Sequence, residues 1–409
     1  MLASKIEATE EQLNRIFQTK LGTIGSPPRF LSIRKISGEG SNKAAFCITT
    51  TPWGTAGYTN CFLAVLCRDP QGALTRNMVN VLRLVQQRTS IPVPQIFAFE
   101  DDNTRSPFSV DCGGEVLGCP YVLMEAVEGQ NIHKIFNNLE SKKTCVLQVA
   151  DILAELQNLL FSVLGGFSSS NMEGDFPVVG KAPVFLSYET IPKEGTKERL
   201  SEGPFHSTWE YYVRALSMWS SMLCKSEDSK AVEVGEFCSS YSREVLRKRI
   251  EEEQATNDKG GKGKFVLVHG DFGTYNIMAD PDSGRVTGVI DWEGAFAGPI
   301  EYDLSGLRKV IFAEPRKKKD EEGYEQEVQM AKLFKDRVEE RGGKIKVDWS
   351  FKECSWLERL AMSLVTWRGW FPAGPEHEAE AKAFYDQRMK SAQQHITALK
   401  KQYSSHACK

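Results

Sequence analysis

The stretch FVLVHGDFGTYNIMADPDSGRVTGVIDWE, residues 265–293, decides the fold of this chain. Two runs of apolar, strand-forming residues, 265–268 and 286–290, flank a set of turn residues and predict two short buried strands. A histidine, two carboxylates and a carboxamide follow these runs or lie between them: His269, Asp271, Asn276 and Asp291. Loops at strand ends can carry polar groups that a core could not, so we expect these four side chains to form a site.

The types and spacing of these groups suit phosphoryl transfer from Mg-ATP. That reaction needs one carboxylate to orient or deprotonate the acceptor hydroxyl, and hard oxygen ligands to hold Mg²⁺ on the phosphates. Asn276 follows Asp271 after four residues, and Asp291 follows a hairpin. This arrangement would place three oxygen-bearing side chains around one point.

The segments HGDFGTYN and IDWE together resemble the catalytic segment of the aminoglycoside phosphotransferase and choline kinase group of small-molecule kinases. The resemblance runs in order from about Phe30 through Leu307, and RTSIPVPQIFAF and LMEAVEG resemble the fungal members of the group. It implies an α+β, bilobal, protein-kinase-like fold. A small antiparallel-sheet N-lobe with an N-terminal helix would span residues 1–126 and bind the nucleotide. A large, mainly helical C-lobe would span 127–409 and provide catalysis and acceptor binding.

The resemblance also implies roles for individual residues. Asp271 would be the catalytic base, with His269 shaping the catalytic loop, and Asn276 and Asp291 would bind Mg²⁺. Asp303 would hold that loop from behind. The segment SGEGSNKAAF would place backbone amides over the ATP phosphates, and the end of strand 121–126 would bind adenine. The expected nucleotide-binding residues are therefore Gly38, Gly40, Ser41, Asn42, Lys43, Glu125 and Val127.

The chain departs from the family pattern at one pair of positions. Members of the family have a Lys or Arg on the third strand, paired with a Glu on the following helix, to hold the α- and β-phosphates. Here the basic position falls on Val65 or Leu66, and the acidic one falls near Met78. Both partners are absent together, which fits the cost of burying an unpaired charge. The cations that could substitute are Lys43, Arg68 and Arg76.

Three functional interpretations follow. The first is an ATP- and Mg²⁺-dependent kinase that phosphorylates a hydroxyl of an unidentified small molecule. The second is a kinase-fold binding or regulatory protein with little catalysis, which the missing pair favours. The third, a protein kinase, is disfavoured by HGD with IDWE and by the lack of an A-P-E segment after Asp291. The acceptor, a preference for ATP or GTP, and the oligomeric state stay open.

Composition narrows the class of partner. A net charge of −3 gives no global basic field for nucleic acid or an anionic membrane. The N-terminus is charged and helical in pattern, unlike a signal peptide, and the ten cysteines show no C-x-x-C or zinc spacing. We expect a reduced, cytoplasmic protein with a small-molecule partner.

Hydrophobic periodicity predicts a small lobe of five strands and one helix, 74–87. A second helix is predicted after Ser141, with Val146, Val149, Ile152, Leu153, Leu156 and Leu160 on one face. Residues 255–264, ATNDKGGKGK, are predicted to form a mobile, positively charged connecting loop. Aromatic residues at Trp209, Tyr211, Tyr212, Trp367, Trp370 and Phe371 could pack either a substrate or the core, and Glu293 could position Mg²⁺ or substrate. Further helices are predicted at 207–224, 232–252, 324–341, 351–369 and 376–400.

Overall fold

An antiparallel sheet of five strands forms the first part of the chain, in the order β1-β2-β3-β7-β4. The computed structural model describes residues 6–21, 27–36, 43–66, 69, 72–102, 104–111, 116–135, 142–167, 172–173, 176–180, 203–257, 265–300, 302–303, 323–345, 357, 360 and 378–406. The five strands and the helix 74–87 that the sequence predicts are present, and the structure adds a separate two-stranded hairpin that was not predicted. The elements of this part are α1 (Glu10–Ile16), β1 (Phe30–Lys35), β2 (Lys43–Trp53), β3 (Tyr58–Leu66), α2 (Ala73–Arg88), β4 (Ile96–Glu100), β5 (Ser109–Asp111), β6 (Val116–Gly118) and β7 (Tyr121–Glu125).

The two faces of this sheet pack against different partners. On the outer face lies α1, whose first turn is closed by a capping box between Thr9 and Gln12 and which continues as a π-helical segment, Phe17–Leu21. Leu13 and Phe17 are fully buried there, and each such burial contributes about 1.5–3 kcal/mol. On the inner face lies α2, within a larger cluster that also takes in residues of the later part of the chain, called the central core below.

The second part of the chain is mainly helical, as predicted, with short strands around the catalytic segment. The prediction that Leu160 lies on the apolar face of a helix is wrong, because the helix ends at Asn158 and Leu160 is 60% exposed. Residues 255–257, expected in a loop, are helical, and 258–264 lie outside the described residues. The elements are β8 (Gln130–Asn131), α3 (Ile132–Ile135), α4 (Lys142–Asn158), β9 (Leu160–Phe161), β10 (Met172–Glu173), β11 (Phe176–Pro177), α5 (Thr208–Leu223), α6 (Ser229–Tyr241), a π-helical segment (Ser242–Leu246), α7 (Arg247–Asn257), β12 (Phe265–Val268), β13 (Ile277–Ala279), β14 (Val286–Val289), a 3₁₀ turn (Trp292–Gly294), β15 (Phe296–Gly298), α8 (Tyr324–Glu340) and α9 (Glu378–His406).

Two small sheets carry the catalytic segment. Strand β12 lies between β15 and β9, and β13 lies between β14 and β8, with all pairs antiparallel. The strands predicted at 265–268 and 286–290 are confirmed as β12 and β14. Because the β12 side chains are buried on both faces and β13 and β14 join the central core, the polar loops between them are anchored at each end.

Of the helices predicted late in the chain, 324–341 and 376–400 are confirmed by α8 and α9. The helix at 351–369 lies outside the described residues, except for Leu357 and Leu360, which are helical and buried. In the part of the chain that the structure describes, every helix is too short or too polar to cross a lipid bilayer.

Candidate active site

The loop after β12 is fixed from behind by a buried carboxylate. Asp303 accepts hydrogen bonds from the backbone N–H groups of His269 and Gly270, at 2.7 and 3.0 Å. Gly270 has φ +85°, and a Cβ at this position would lie 2.2 Å from the carbonyl oxygen of Gly294. Burial raises the pKa of Asp303 to about 7, opposed by its two backbone hydrogen bonds. The role predicted for Asp303, a carboxylate that holds the loop, matches this geometry.

His269 links the two halves of the catalytic segment. The ring is fully buried: Nε2 lies 2.9 Å from the carbonyl oxygen of Ile290, and Nδ1 accepts a hydrogen bond of 3.3 Å from the Asp271 backbone N–H. Burial lowers its pKa to about 4, so the ring is neutral near pH 7 and Nε2–H is the donor to Ile290. With both nitrogens bonded inside the protein, His269 is placed to shape the loop and not to exchange protons with a substrate.

Asp271 and Asn276 lie side by side, as their spacing predicts. Asn276 Nδ2 donates to the Asp271 backbone carbonyl at 2.9 Å and to Asp271 Oδ2 at 3.0 Å. The other carboxylate oxygen, Oδ1, accepts a hydrogen bond from the hydroxyl of Tyr275. Burial raises the pKa of Asp271, and the negative charge of Glu293 acts in the same direction. A carboxylate with a raised pKa is a stronger base than an exposed one.

The β13–β14 hairpin brings Asp291 back to Asn276. The Ile290 N–H donates to the carbonyl of Asn276 at 2.9 Å, next to the register pair Ile277–Val289. Asp291 has φ +74°, and it is the one non-glycine residue with positive φ in the part of the chain that the structure describes. Such a conformation is costly for a residue with a Cβ, and strain of this kind concentrates at functional sites.

A lysine from the five-stranded sheet reaches this hairpin. Lys43, the first residue of β2, donates from Nζ to Asp291 Oδ1 and, at 2.6 Å, to Glu293 Oε2. Of the other candidate cations, Arg76 pairs with Asp101 at 3.0 Å, and Arg68 lies outside the described residues. Gly38, Gly40, Ser41 and Asn42 also lie outside them, so Lys43 is the member of the predicted phosphate loop that the structure locates.

The positions of the missing ion pair are occupied by apolar side chains. Lys43 pairs in register with Leu66, and directly opposed residues of an antiparallel pair point to the same face. Leu66 and Met78 both belong to the central core, whereas Val65 packs on the opposite face of the sheet. Of the two positions that the sequence left open, Leu66 is therefore the one on the face toward α2.

Asn77 is a site residue that the sequence analysis missed. Its side chain lies buried on α2, where Nδ2 donates to the carbonyls of Glu293 and Ala295 at 3.2 and 2.8 Å and Oδ1 accepts from the Phe167 N–H at 2.6 Å. A carboxamide beside apolar Met78 and Val81 was the signal available. Asn77 joins α2 directly to the loop that carries Asp291 and Glu293.

The predicted adenine-binding segment lies at the end of β7. The Glu125 N–H donates to the carbonyl of Gln95 at 2.8 Å, and the Glu125 carboxylate accepts from the Gln95 N–H at 3.1 Å. Val127 follows and packs against Gly288, where an added Cβ would lie 2.6 Å from Val127 Cγ1. Because the Glu125 N–H is already bonded, adenine recognition by Glu125 itself would use a group other than this N–H.

The aromatic residues that could pack either a substrate or the core divide into two groups. Tyr211 and Tyr212 are buried in a helical core, where Tyr211 stacks with Phe296, and Trp209 packs partly against this core. They pack the core, one of the two alternatives. Trp367, Trp370 and Phe371 lie outside the described residues.

Comparison with solved structures shows a shared fold. A protein of Ralstonia eutropha JMP134, provisionally named an aminoglycoside phosphotransferase, superimposes with a TM-score of 0.56 over 97% of this chain and 99% of its own, at 14% identity. The GDP and kanamycin complex of APH(2")-IIIa superimposes with a TM-score of 0.51 over 94% of this chain and 98% of its own, at 13% identity. The bilobal, protein-kinase-like fold of the resemblance is thereby confirmed.

Two curated relatives match in sequence. The Arabidopsis thaliana protein named probable acyl-CoA dehydrogenase IBR3 is 23% identical over 269 residues, 64% of this chain. The chain spans 27% of the length of that relative. Hygromycin-B 4-O-kinase of Escherichia coli is 44% identical over 41 residues, which are 10% of this chain and 11% of the kinase.

The family signature covers most of the chain. The pattern of the Phosphotransferase enzyme family matches residues 32–331, which include most of β1, all of β2 through α2 and the whole catalytic segment. This span exceeds half of the 409 residues. The chain therefore belongs to the phosphotransferase enzyme family.

Proposed function

We propose that this protein transfers the γ-phosphoryl group of Mg-ATP to a hydroxyl group of a small molecule, with Asp271 as the base. One observation carries the proposal: Asp271, Asn276, Asp291 and Lys43 are brought to the same place by separate elements, through direct contacts and a shared hairpin. The family supplies the general activity, and these contacts give each residue a role. In this proposal each site residue has the role that the family resemblance implies.

The donor set fits magnesium bound through a nucleotide. Asn276 uses its nitrogen toward Asp271, which leaves the amide oxygen as a possible ligand beside the Asp291 carboxylate. The described residues contain no group of three or more His, Cys, Asp or Glu side chains arranged for a metal. Mg²⁺ in such sites uses one or two protein carboxylates together with phosphate oxygens and water, so a denser cluster is not required. When bound, Mg²⁺ would neutralise charge on the β- and γ-phosphates.

The protein's own residues then divide the remaining tasks. Asp271 orients the acceptor hydroxyl and accepts its proton as the oxygen attacks the γ-phosphorus. Asn276 holds the Asp271 carboxylate in place through Oδ2. Lys43, whose Nζ already lies at Asp291, offers a positive charge to the phosphates. His269 and Asp303 keep the loop rigid.

The alternative, a kinase-fold binding protein with little turnover, is favoured by the apolar residues Leu66 and Met78 in place of the usual ion pair. The two proposals differ in what Asp271 does. In a binding protein, replacing it changes nothing in turnover, whereas general-base catalysis contributes about 10²–10⁴-fold to rate.

Calorimetric titration of ATP with and without Mg²⁺, together with phosphate release from Mg-ATP with water as acceptor, tests the proposal. Asp291→Asn should lose the Mg²⁺-dependent part of ATP binding, and Asp271→Asn should keep binding and lose at least 100-fold in phosphate release. Asp282→Asn, an exposed aspartate in the same hairpin, is the matched control and should change neither. Equal phosphate release from wild type and Asp271→Asn, with binding intact, would support the binding protein.

A further inference from the structure

Tyr275 lies in the catalytic loop with its hydroxyl on the proposed base. The hydroxyl donates to Asp271 Oδ1, the backbone carbonyl accepts from Asn131 Nδ2, and the ring lies over Gly273. A Cβ on Gly273 would be 2.5 Å from Cε1 and 2.6 Å from Cζ of the ring, so a side chain there would displace it. Tyr275 is nevertheless 45% exposed, which makes it one of the few large exposed hydrophobic residues described.

The position of this hydroxyl relative to the carboxylate is specific. Asn276 bonds Oδ2 from within the loop, and the Tyr275 hydroxyl bonds the other carboxylate oxygen, Oδ1. In this contact the tyrosine hydroxyl is the donor, because an ionised carboxylate can only accept. A hydroxyl that donates to a carboxylate oxygen of a base has the geometry of the acceptor hydroxyl that the base would receive.

We infer that the Tyr275 hydroxyl occupies the acceptor's place on Asp271 and shields this base from water until an acceptor hydroxyl displaces it. The inference rests on the proposed function, because it assumes that Asp271 is the base. It assigns a role to a residue whose ring is exposed and whose hydroxyl lies at the centre of the site. Acceptor binding is then coupled to the outward movement of the Tyr275 side chain.

The side reaction that Tyr275 suppresses is hydrolysis of ATP. In it, a water oxygen forms a bond to the γ-phosphorus, the bond between that phosphorus and the β,γ-bridging oxygen breaks, and Asp271 accepts the proton of the water. The products are ADP and phosphate. A phenol hydrogen-bonded to Oδ1 competes with the water for Asp271, and a hydrogen bond to a charged group is worth about 1.5–3 kcal/mol. Removing it should raise the hydrolysis rate about tenfold or more.

The experiment compares phosphate release from Mg-ATP, with no acceptor added, in wild type and in two variants. Each variant removes the hydrogen bond between Tyr275 and Asp271 in a different way. Tyr275→Phe removes the hydroxyl and keeps the ring, whereas Gly273→Ala keeps the hydroxyl and pushes the ring away. Gly273 is absent from the positive-φ positions, so its backbone can accept alanine. Both variants should raise kcat for hydrolysis with little change in KM for Mg-ATP. Tyr58→Phe, in the β2–β3 hairpin, is the control and should behave as wild type.

The outcomes separate the inference from the proposed function. A rise in both variants that is abolished by adding Asp271→Asn supports the inference. Unchanged or reduced hydrolysis in Tyr275→Phe, with Mg-ATP binding intact by calorimetry, overturns it and makes Tyr275 a residue that positions Asp271. Calorimetry that shows no Mg-ATP binding in wild type overturns the proposed function, and the inference with it.

Discussion

Replacing Lys43 by methionine is the sharpest test of how this site holds the nucleotide. The Lys43 side chain is 17% exposed, and its Nζ lies between the carboxylates of Asp291 and Glu293. Methionine keeps most of the length and removes the charge. If Lys43 contacts a phosphate, the lost contact is charge-assisted and worth about 1.5–3 kcal/mol. At about 1.4 kcal/mol for each factor of ten, the affinity for Mg-ATP should fall about 10- to 150-fold.

The assay is calorimetric titration of Mg-ATP into wild type, Lys43→Met and Arg76→Met, with circular dichroism to confirm folding. Arg76 is the matched control because it was an equal candidate in the sequence and pairs with Asp101 in the structure. Loss of such a partly exposed pair costs about 0–1 kcal/mol of folding stability, so Arg76→Met should stay folded and bind Mg-ATP about as wild type does. Lys43→Arg keeps a cation with different geometry and should lie between wild type and Lys43→Met.

The reasoning fails if Lys43→Met binds Mg-ATP within about threefold of wild type, a difference below 1 kcal/mol. It also fails if Arg76→Met and Lys43→Met lose affinity equally, since the contact to Asp291 would then have no special consequence. A loss confined to catalysis, with binding unchanged, would place Lys43 on the transition state alone.

Two further predictions concern stability. The pKa of His269 is about 4 in the folded protein and about 6.5 in the unfolded chain, so below pH 6.5 the unfolded state binds more protons. His269 therefore lowers the free energy of unfolding as the pH falls from 6.5 to 4, by about 1.4 kcal/mol per pH unit and about 3 kcal/mol in all. Asp303 changes the free energy of unfolding with the opposite sign over much of this pH range, because its folded pKa is raised. Urea denaturation should therefore measure the difference in the free energy of unfolding between wild type and His269→Gln at each pH. A difference that does not depend on pH would contradict the pKa shift of His269. Asn77→Ala removes three hydrogen bonds of a buried side chain and should cost about 1–3 kcal/mol or more in urea denaturation. Asn80→Ala changes a half-buried side chain one turn further on α2, which donates to the Phe167 carbonyl, and should cost less. Equal losses would contradict the role of Asn77.

Much of the fold was predictable because its signals are local. The strands β12 and β14 follow from short apolar runs bounded by turn residues, and α2 and α8 follow from helical periodicity. Leu160 shows the limit of this reasoning. It continues the apolar spacing of α4, but the helix ends two residues earlier, and nothing in the pattern marks that end.

The candidate site was predictable where its residues share one segment and not where separate segments meet. The adjacency of Asp271 and Asn276 follows from their spacing. Which of three candidate cations reaches the site could not be decided, because strand register is not visible in a sequence. The structure locates Lys43 at Asp291 through the pairing of β2 with β3. Tyr275 lies inside the motif, but a tyrosine among polar loop residues gives no sign that its hydroxyl meets the base.

The presence of Leu66 and Met78 in the central core has a consequence for how such a protein could be regulated. In protein kinases an ion pair at this position can be broken and remade as the helix moves, and its formation is a point of control. Here α2 is held by close-packed side chains of the central core and by Asn77 at the Asp291 loop. Swinging this helix outward would open a cavity and leave buried polar groups without partners, both of which are costly. The helix is therefore a fixed wall of the proposed nucleotide site, and any switching of the proposed activity would have to act on the loops around it.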